Sequence, residues 1–149
     1  SFGGYNDAFA DERDGDSWIC SDPDVRKRYR ADPMCDFNFS VGAYRELFRL
    51  LAGISEKRGE SWSARVPQSL PVLLIAGEDD PLGENGKGIR EVYERLSDAE
   101  LCELSMKLYP KGRHEILNDV MKHEVYADFI EWIHRVSDGV AACRGAKLG

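Results

Sequence analysis

The residues best placed to do chemistry are one histidine and a pair of aspartates. His114 lies in the segment YPKGRHEIL, a polar turn that contains glycine, and Asp79 and Asp80 directly follow a short apolar run. A carboxylate that holds one ring N–H of an imidazole fixes its tautomer and leaves the other ring nitrogen free to act as a general base. An Asp–His pair of this kind would activate a nucleophile.

Two predicted strands carry these residues. Residues 72–76 form a continuous apolar run, typical of a strand buried in a parallel sheet, and residues 104–109 alternate as in a more edge-like strand. Apolar residues at helical spacing predict helices at about 89–96 and around 126–133. The order strand, helix, strand, helix indicates a right-handed parallel α/β unit. The aspartates and the histidine would then lie beyond the carboxyl ends of neighbouring strands, which are roughly 5 Å apart.

The spacing leaves a plainer interpretation open. Asp79 and Asp80 could be turn formers before Pro81, and His114 could be a surface residue that caps the following helix. The residues by themselves do not choose between the two aspartates as the partner of the imidazole.

The first part of the chain has a different amino-acid composition. Residues 1–40 are rich in Gly, Asp, Asn and Pro, and the one brief helix expected there covers residues 24–30, behind Asp22 and Pro23. A longer amphipathic helix is predicted from Ser40 onward. The polar stretch 57–68 then connects this region to the apolar strand, so we place a boundary there.

The composition and the net charge of the chain exclude some classes of function. The chain has 149 residues, 42% of them hydrophobic, which is the size and content of one domain with a core. With 20 basic and 27 acidic side chains the net charge is −7, which opposes binding to nucleic acid or to anionic lipid. No segment approaches the ~20 apolar residues of a membrane span, and the first residues lack the pattern of a signal peptide. We therefore expect a soluble, cytoplasmic protein.

Neither a metal nor a cofactor is expected. The four cysteines are scattered without a C-x-x-C pair, and HEILN at residues 114–118 is not the H-E-x-x-H zinc motif. The string DERDGDSW fails as a calcium loop, because aligning its glycine puts Ala10 at the first ligand position.

Five segments of the chain together resemble a known family of enzymes. In chain order they are DSWICSD, VRKRYRADPMC, FSVGAYRELFRLL, LPVLLIAGEDDPLG and MKLYPKGRHEILND. In this order and spacing, residues 1–136 resemble the C-terminal half of the monoacylglycerol lipase and lysophospholipase branch of the α/β-hydrolases, which is related to the serine aminopeptidase-like family. The resemblance implies an α/β fold in which a cap region precedes the last two parallel strands and helices of an α/β-hydrolase core.

The resemblance also implies roles for the candidate residues. In that family the acid is the fourth residue of a strand-ending G-x-x-D, here Asp80, and the base is the histidine of an R-H-E turn, here His114. Residues 1–66 would form the cap over a lipid-like substrate and residues 67–136 the core part. Residues 137–149 lie outside the resemblance, and their small and polar side chains predict a frayed tail. The expected reaction is the cleavage of carboxylic esters such as monoacylglycerols or lysophospholipids.

The nucleophile of such an enzyme is missing from the sequence. The family carries it in a G-x-S-x-G elbow ahead of the acid and the histidine. No such string occurs here, and GISEK at residues 53–57 fails at its last position, so Ser55 is rejected. We expect Asp80 and His114 to serve a serine on the N-terminal half of the hydrolase, from the same precursor or a separate chain, and expect this chain alone to be inactive. The alternative is an inactive hydrolase half that acts as a binding or self-associating module.

Aromatic and leucine side chains of the cap region could line an acyl-chain pocket. Aromatic residues at helical spacing more often belong to a core, so we expect each of them to be packed rather than to line the substrate. The side chains concerned are Trp18, Phe37, Phe39, Tyr44, Phe48 and Leu51.

Overall fold

A pair of parallel strands carries the two candidate loops. In the computed structural model, which describes residues 4–12, 14–35, 37–54 and 62–145, β1 (Val72–Gly77) pairs with β2 (Leu104–Tyr109). The register ends with Gly77 opposite Tyr109, so both strands finish at the same edge of the sheet. The two predicted strands and their parallel arrangement are confirmed.

The helix between the strands, α3 (Lys87–Asp98), packs on both of them. It is two residues longer at each end than the predicted span 89–96. Gly86, at φ 82°, leads the chain into the helix in a left-handed conformation that glycine adopts readily. Leu96 is 3% exposed and anchors the helix in the interior.

Two α-helices precede the sheet among the described residues, and both were predicted. α1 (Pro23–Ala31) begins behind Asp22, whose side chain accepts hydrogen bonds from the first backbone N–H groups of the helix. α2 (Val41–Ile54) begins behind Ser40, whose Oγ accepts a backbone N–H of the first turn at 3.2 Å.

Short 3-10 helices at Asp7–Glu12 and Trp62–Arg65 were not predicted. Runs of this length are too short to show an apolar period.

Besides Leu96, the buried apolar side chains among the described residues form two small clusters. One lies beside the sheet and consists of Tyr109, Ile116 and Val125, with Ile75 and Met121 packed against it. The other lies at the start of α1 and consists of Ile19, Cys20 and Val25, with Trp18 and Tyr29 against it.

The expectation that the cap aromatics are packed is wrong for most of α2 and the segment before it. Phe37, Phe39, Phe48 and Leu51 are all exposed, Phe48 by 63%. The physical reason is that α2 makes no extensive contact with another element among the described residues. The rings instead contact each other along the segment, with centroids 5.6 Å apart for Phe37 and Phe39.

The last helix, α4 (Lys122–Gly145), runs further than expected. Residues 137–145 were expected to belong to a frayed tail but are helical. The helix continues past Gly139 into Ala141 and Ala142, the residue type with the highest helix propensity. The predicted apolar face of α4 is also exposed, since Tyr126, Phe129, Ile130 and Ile133 are each 39% to 53% accessible. None of the helices formed by the described residues is long and apolar enough to cross a membrane.

The apolar strand β1 was expected to have a neighbour on each side. Within the described residues the sheet has only the two strands, so β2 covers one edge of β1 and no described strand covers the other. This second edge is the open side of the sheet.

The loops beyond the strands touch backbone to backbone, which predicts a strict requirement for glycine at position 77. A Cβ at Gly77 would lie 2.5 Å from the carbonyl oxygen of Arg113 and closer still to the Gly112 carbonyl, which is backbone that cannot yield cheaply. We expect Gly77→Ala to lower the free energy of unfolding by about 3 kcal/mol, the upper end of over-packing effects. Urea denaturation measures this change.

The control is Gly139→Ala in α4, where an added Cβ meets nothing within 4 Å. Alanine favours a helix over glycine by about 1 kcal/mol, so this variant should be neutral or slightly more stable. Equal effects of the two substitutions would contradict the role given to the close approach of the loops.

Candidate functional site

The acid turn follows β1 and buries one carboxylate. Asp80 is 8% exposed, and its Oδ1 accepts the backbone N–H of Leu82 at 2.9 Å. Glu84, Asn85 and Gly86 all have positive φ, which turns the chain sharply back into α3. The neighbouring Asp79 is exposed, and its backbone N–H donates to the Gly112 carbonyl at 2.9 Å.

The histidine turn follows β2 and bends sharply. Lys111 has φ 63°, and the N–H of Gly112 donates to the Tyr109 carbonyl at 3.0 Å. His114 comes two residues later, while α4 begins only at Lys122. The histidine therefore does not cap the following helix.

The structure brings Asp80 and His114 together. Nδ1 of His114 lies 3.1 Å from Oδ2 of Asp80, across 34 residues of sequence. The Asp80 side chain is 12% exposed and that of His114 is 37% exposed, so a buried carboxylate meets a ring that reaches solvent. A proton on Nδ1 can be donated to this carboxylate, which leaves Nε2 as the free proton acceptor. Of the two aspartates, the geometry selects Asp80.

The electrostatics increase the affinity of the imidazole for a proton. The hydrogen bond with Asp80 raises the pKa of His114 above its ordinary value of 6.5, burial opposes the rise, and the negative charges of Asp80 and Glu115 add to it. The pair can therefore take up a proton at Nε2 and hold the resulting positive charge next to a carboxylate. This is what a general base needs in the transition state of a proton transfer.

A contact that the sequence patterns did not predict supports the histidine turn. Residues 17–21, which we call the splint, run alongside residues 113–119. The N–H of His114 donates to the Trp18 carbonyl at 3.3 Å, and the N–H of Glu115 donates to the Ile19 carbonyl at 2.8 Å. The Trp18 and His114 rings also contact each other, with centroids 5.2 Å apart.

Buried charges fasten the splint at both ends. Arg113 is 9% exposed and donates to the Ser17 carbonyl at 2.6 Å. It also pairs with Glu12, and the hydrogen bond between these two side chains lowers the pKa of the Glu12 carboxyl. Asp119, fully buried, accepts the N–H of Ser21 at 3.0 Å and the N–H of Arg113 at 3.1 Å. Nothing in local spacing predicts the contacts of Arg113 with Ser17 and Glu12 or that of Asp119 with Ser21, because each joins positions about a hundred residues apart.

The reactive side chains of the splint are already engaged. The Cys20 thiol is fully buried, and burial raises its pKa to about 11, so it stays protonated and is a poor nucleophile. The hydroxyl of Ser17 bonds to the Asp14 carbonyl and that of Ser21 to Asp119. Ser55, rejected from the sequence, lies outside the described residues. Among the residues that are described, no group of three or more His, Cys, Asp or Glu side chains is placed to hold a metal ion.

Comparison with known proteins places this geometry in a family context. Residues 8–121 match the family model described as Serine aminopeptidase, S33. The chain is similar to a highly thermostable carboxyl esterase from Bacillus coagulans, solved in complex with glycerol, at 32% identity and a TM-score of 0.69, covering 80% of this chain and 38% of the esterase. It is also similar to a lipase in an open form at 26% identity and a TM-score of 0.76, covering 91% of this chain and 43% of the lipase.

These similarities confirm the expected α/β-hydrolase fold. They also show that the chain spans well under half the length of the two solved structures.

The hydrogen bond between Asp80 and His114 predicts how His114 titrates. Replacing Asp80 with Asn removes the charge and keeps the shape, so the pKa of His114 should fall towards 6.5, as read from its imidazole signals in an NMR titration. Because the folded pKa is raised, the contribution of the pair to stability is complete below about pH 6.5 and is lost as the pH rises through the raised pKa. Asp80→Asn should therefore destabilise the fold more at pH 5 than at pH 9.

The matched control is Asp79→Asn, which removes the same charge one residue away on an exposed side chain. It should leave the His114 titration nearly unchanged. If Asp79→Asn lowered the pKa as much as Asp80→Asn, the direct bond would not be the cause.

Proposed function

Because the chain belongs to the serine aminopeptidase family of α/β-hydrolases, we propose that it is the part of a serine hydrolase that supplies the acid and the base for cleaving carboxylic esters. The observation that carries the proposal is the 3.1 Å contact between Nδ1 of His114 and Oδ2 of Asp80, beyond the ends of two parallel strands. Reactive groups of open α/β sheets gather at this edge.

In the proposed reaction, His114 moves protons and Asp80 orients it. Nε2 of the neutral imidazole takes the proton of a serine hydroxyl as its oxygen attacks the ester carbonyl. The imidazolium then gives the proton to the departing alcohol, which leaves an acyl-enzyme that water hydrolyses by the same route. The Asp80 carboxylate holds the ring in the Nδ1–H tautomer and stabilises the imidazolium in both halves of the reaction.

The substrate we propose is an ester with an apolar acyl chain, such as a monoacylglycerol or a lysophospholipid. The two similar structures are a carboxyl esterase and a lipase, which supports ester chemistry. The exposed rings of Phe37, Phe39 and Phe48 support an apolar acyl group, since they offer a wall within the proposed cap of residues 1–66. The proposed core part, residues 67–136, carries the acid and base.

The nucleophile in this proposal comes from the N-terminal half of the hydrolase, since the sequence contains no G-x-S-x-G. Three observations support a further polypeptide beside this chain. The open edge of β1 lacks a described neighbour, the apolar face of α4 is exposed, and Nε1 of Trp132 is buried without a hydrogen-bond partner among the described residues. The alternative, an inactive self-associating module, is supported by the same open edge.

The first test is active-site labelling. The chain alone should not react with a fluorophosphonate probe, and stoichiometric labelling of any serine in it would contradict the proposal. Combined with the G-x-S-x-G half encoded upstream or separately, it should give a complex that is labelled at the elbow serine and hydrolyses a monoacylglycerol. In that complex His114→Ala and Asp80→Asn should each lower kcat by about 10⁴-fold, because the base is lost or held in the wrong tautomer.

Asp79→Asn is the control for this experiment and should keep full activity. A complex that forms but stays unlabelled and inactive would favour the alternative of a non-catalytic module.

The exposed face of α4 makes a second prediction. Without its partner, the chain should self-associate through this face in a concentration-dependent way, as measured by sedimentation velocity. Ile133→Glu puts a charge on the apolar face and should shift the chain towards monomer and weaken its binding to the other half. His134→Glu places the same charge on the next residue, about 100° around the helix, and should change neither.

Equal effects of these two neighbouring substitutions would show that charge alone, rather than the apolar face, controls association.

A further inference from the structure

We propose that Trp18 is a positioning residue for His114, which keeps the imidazole turned so that Nδ1 faces Asp80. Its importance for catalysis rests on the proposed function, but the positioning itself does not. Two independent contacts join the residues. The backbone N–H of His114 donates to the Trp18 carbonyl at 3.3 Å, and the two rings lie with centroids 5.2 Å apart at an interplanar angle of 41°.

The imidazole needs such support because it is held by little else. Its side chain is 37% exposed, and the bond to Asp80 is a single contact at one ring nitrogen. Rotation of the ring about its Cβ–Cγ bond would break that contact. The Trp18 ring, with its centroid 5.2 Å from that of the imidazole, restricts this rotation and adds a favourable ring–ring contact.

Trp18 can act as a support because it is itself fixed. Its backbone N–H donates to the side-chain oxygen of Asn6 at 3.1 Å, and the Tyr5 ring packs against the indole with centroids 5.3 Å apart. The residues on either side are tied to the same turn, with the Ser17 carbonyl held by Arg113 and the Ile19 carbonyl by the N–H of Glu115. The backbone of Trp18 therefore cannot shift without breaking the splint, and the Tyr5 ring contacts the indole.

The charges around the imidazole make the proposal testable by the direction of a titration. The charged groups that act on His114 are Asp80, across the hydrogen bond, and Glu115, its neighbour in the chain. Trp18 carries no charge, so replacing it alters the pKa of His114 only through exposure and through the Asp80 bond. Greater exposure with the bond intact would raise the pKa, whereas loss of the bond would lower it towards 6.5.

The experiment is an NMR titration of the chain with Trp18→Leu, which keeps apolar volume but removes the ring system. We expect the pKa of His114 to fall towards 6.5, and the ring ¹⁵N shifts to change from the Nδ1–H tautomer to a mixture. Trp18→Phe should restore both readings because it restores an aromatic face. Trp62→Leu, a matched change in a different element, should leave both as in the wild type.

The proposal is overturned if the folded Trp18→Leu chain keeps the Nδ1–H tautomer with an unchanged or higher pKa. If that variant fails to fold, the test is made on the wild-type chain by measuring nuclear Overhauser contacts. The proposal requires such contacts between the indole and the imidazole protons, and their absence overturns it.

In the reconstituted hydrolase, Trp18→Leu should lower kcat by about 10- to 100-fold at unchanged KM, as expected for a misplaced base. The titration does not depend on hydrolysis. An inactive complex with the expected titration would thus refute the proposed function while supporting the role of Trp18.

Discussion

The candidate site depends on the close approach of two peptide segments, at Gly77 and at Gly112. Beyond the last strand pair the backbone bonding continues, since the N–H of Glu78 donates to the Tyr109 carbonyl at 3.0 Å and that of Asp79 to the Gly112 carbonyl at 2.9 Å. Gly77 is needed because a Cβ there would overlap the Gly112 and Arg113 carbonyls, whereas a Cβ at Gly112 would make a tight contact 3.1 Å from the Cα of Gly77. With the loops in contact, a carboxylate three residues after Gly77 and an imidazole two residues after Gly112 meet at hydrogen-bond distance.

This local contact does not hold the histidine turn by itself. The turn is also fastened to the splint, which brings in the buried Arg113 and Asp119. Burying such charges is unfavourable unless each finds compensating partners. Here Arg113 pairs with Glu12 and donates to the Ser17 carbonyl, and Asp119 accepts hydrogen bonds from the backbone N–H groups of Ser21 and Arg113. The network therefore stabilises one arrangement of residues 17–21 against residues 113–119, and other arrangements have a higher free energy. The proposed cap region, 1–66, contains the splint, so its first part belongs to the support of the base as well as to the cover of a substrate.

Much of the fold was predictable because its signals are local. The apolar run of β1, the alternation of β2 and the capping residues Asp22 and Ser40 each mark an element within a few positions. A pairing of His114 with an aspartate follows once the strands are parallel neighbours, but only the family resemblance selected Asp80 rather than Asp79. The splint was not predictable in this way, since Trp18 and His114 share no spacing rule. The exposure of Phe48 and Ile133 was missed for another reason: periodicity shows that a helix has an apolar face, but not which surface covers that face.

The active site of the proposed hydrolase would thus form in two steps, one within this chain and one between this chain and the N-terminal half. The acid and the base lie on adjacent strands of one chain, so their hydrogen bond forms within the folded chain and fixes the tautomer of His114 in advance. The serine would come from the N-terminal half of the hydrolase, so its distance from Nε2 depends on how that half binds this chain. This chain alone then orients the base, while activation of the nucleophile depends on the contact between this chain and the N-terminal half. Errors in that binding would abolish catalysis without disturbing the Asp80–His114 contact.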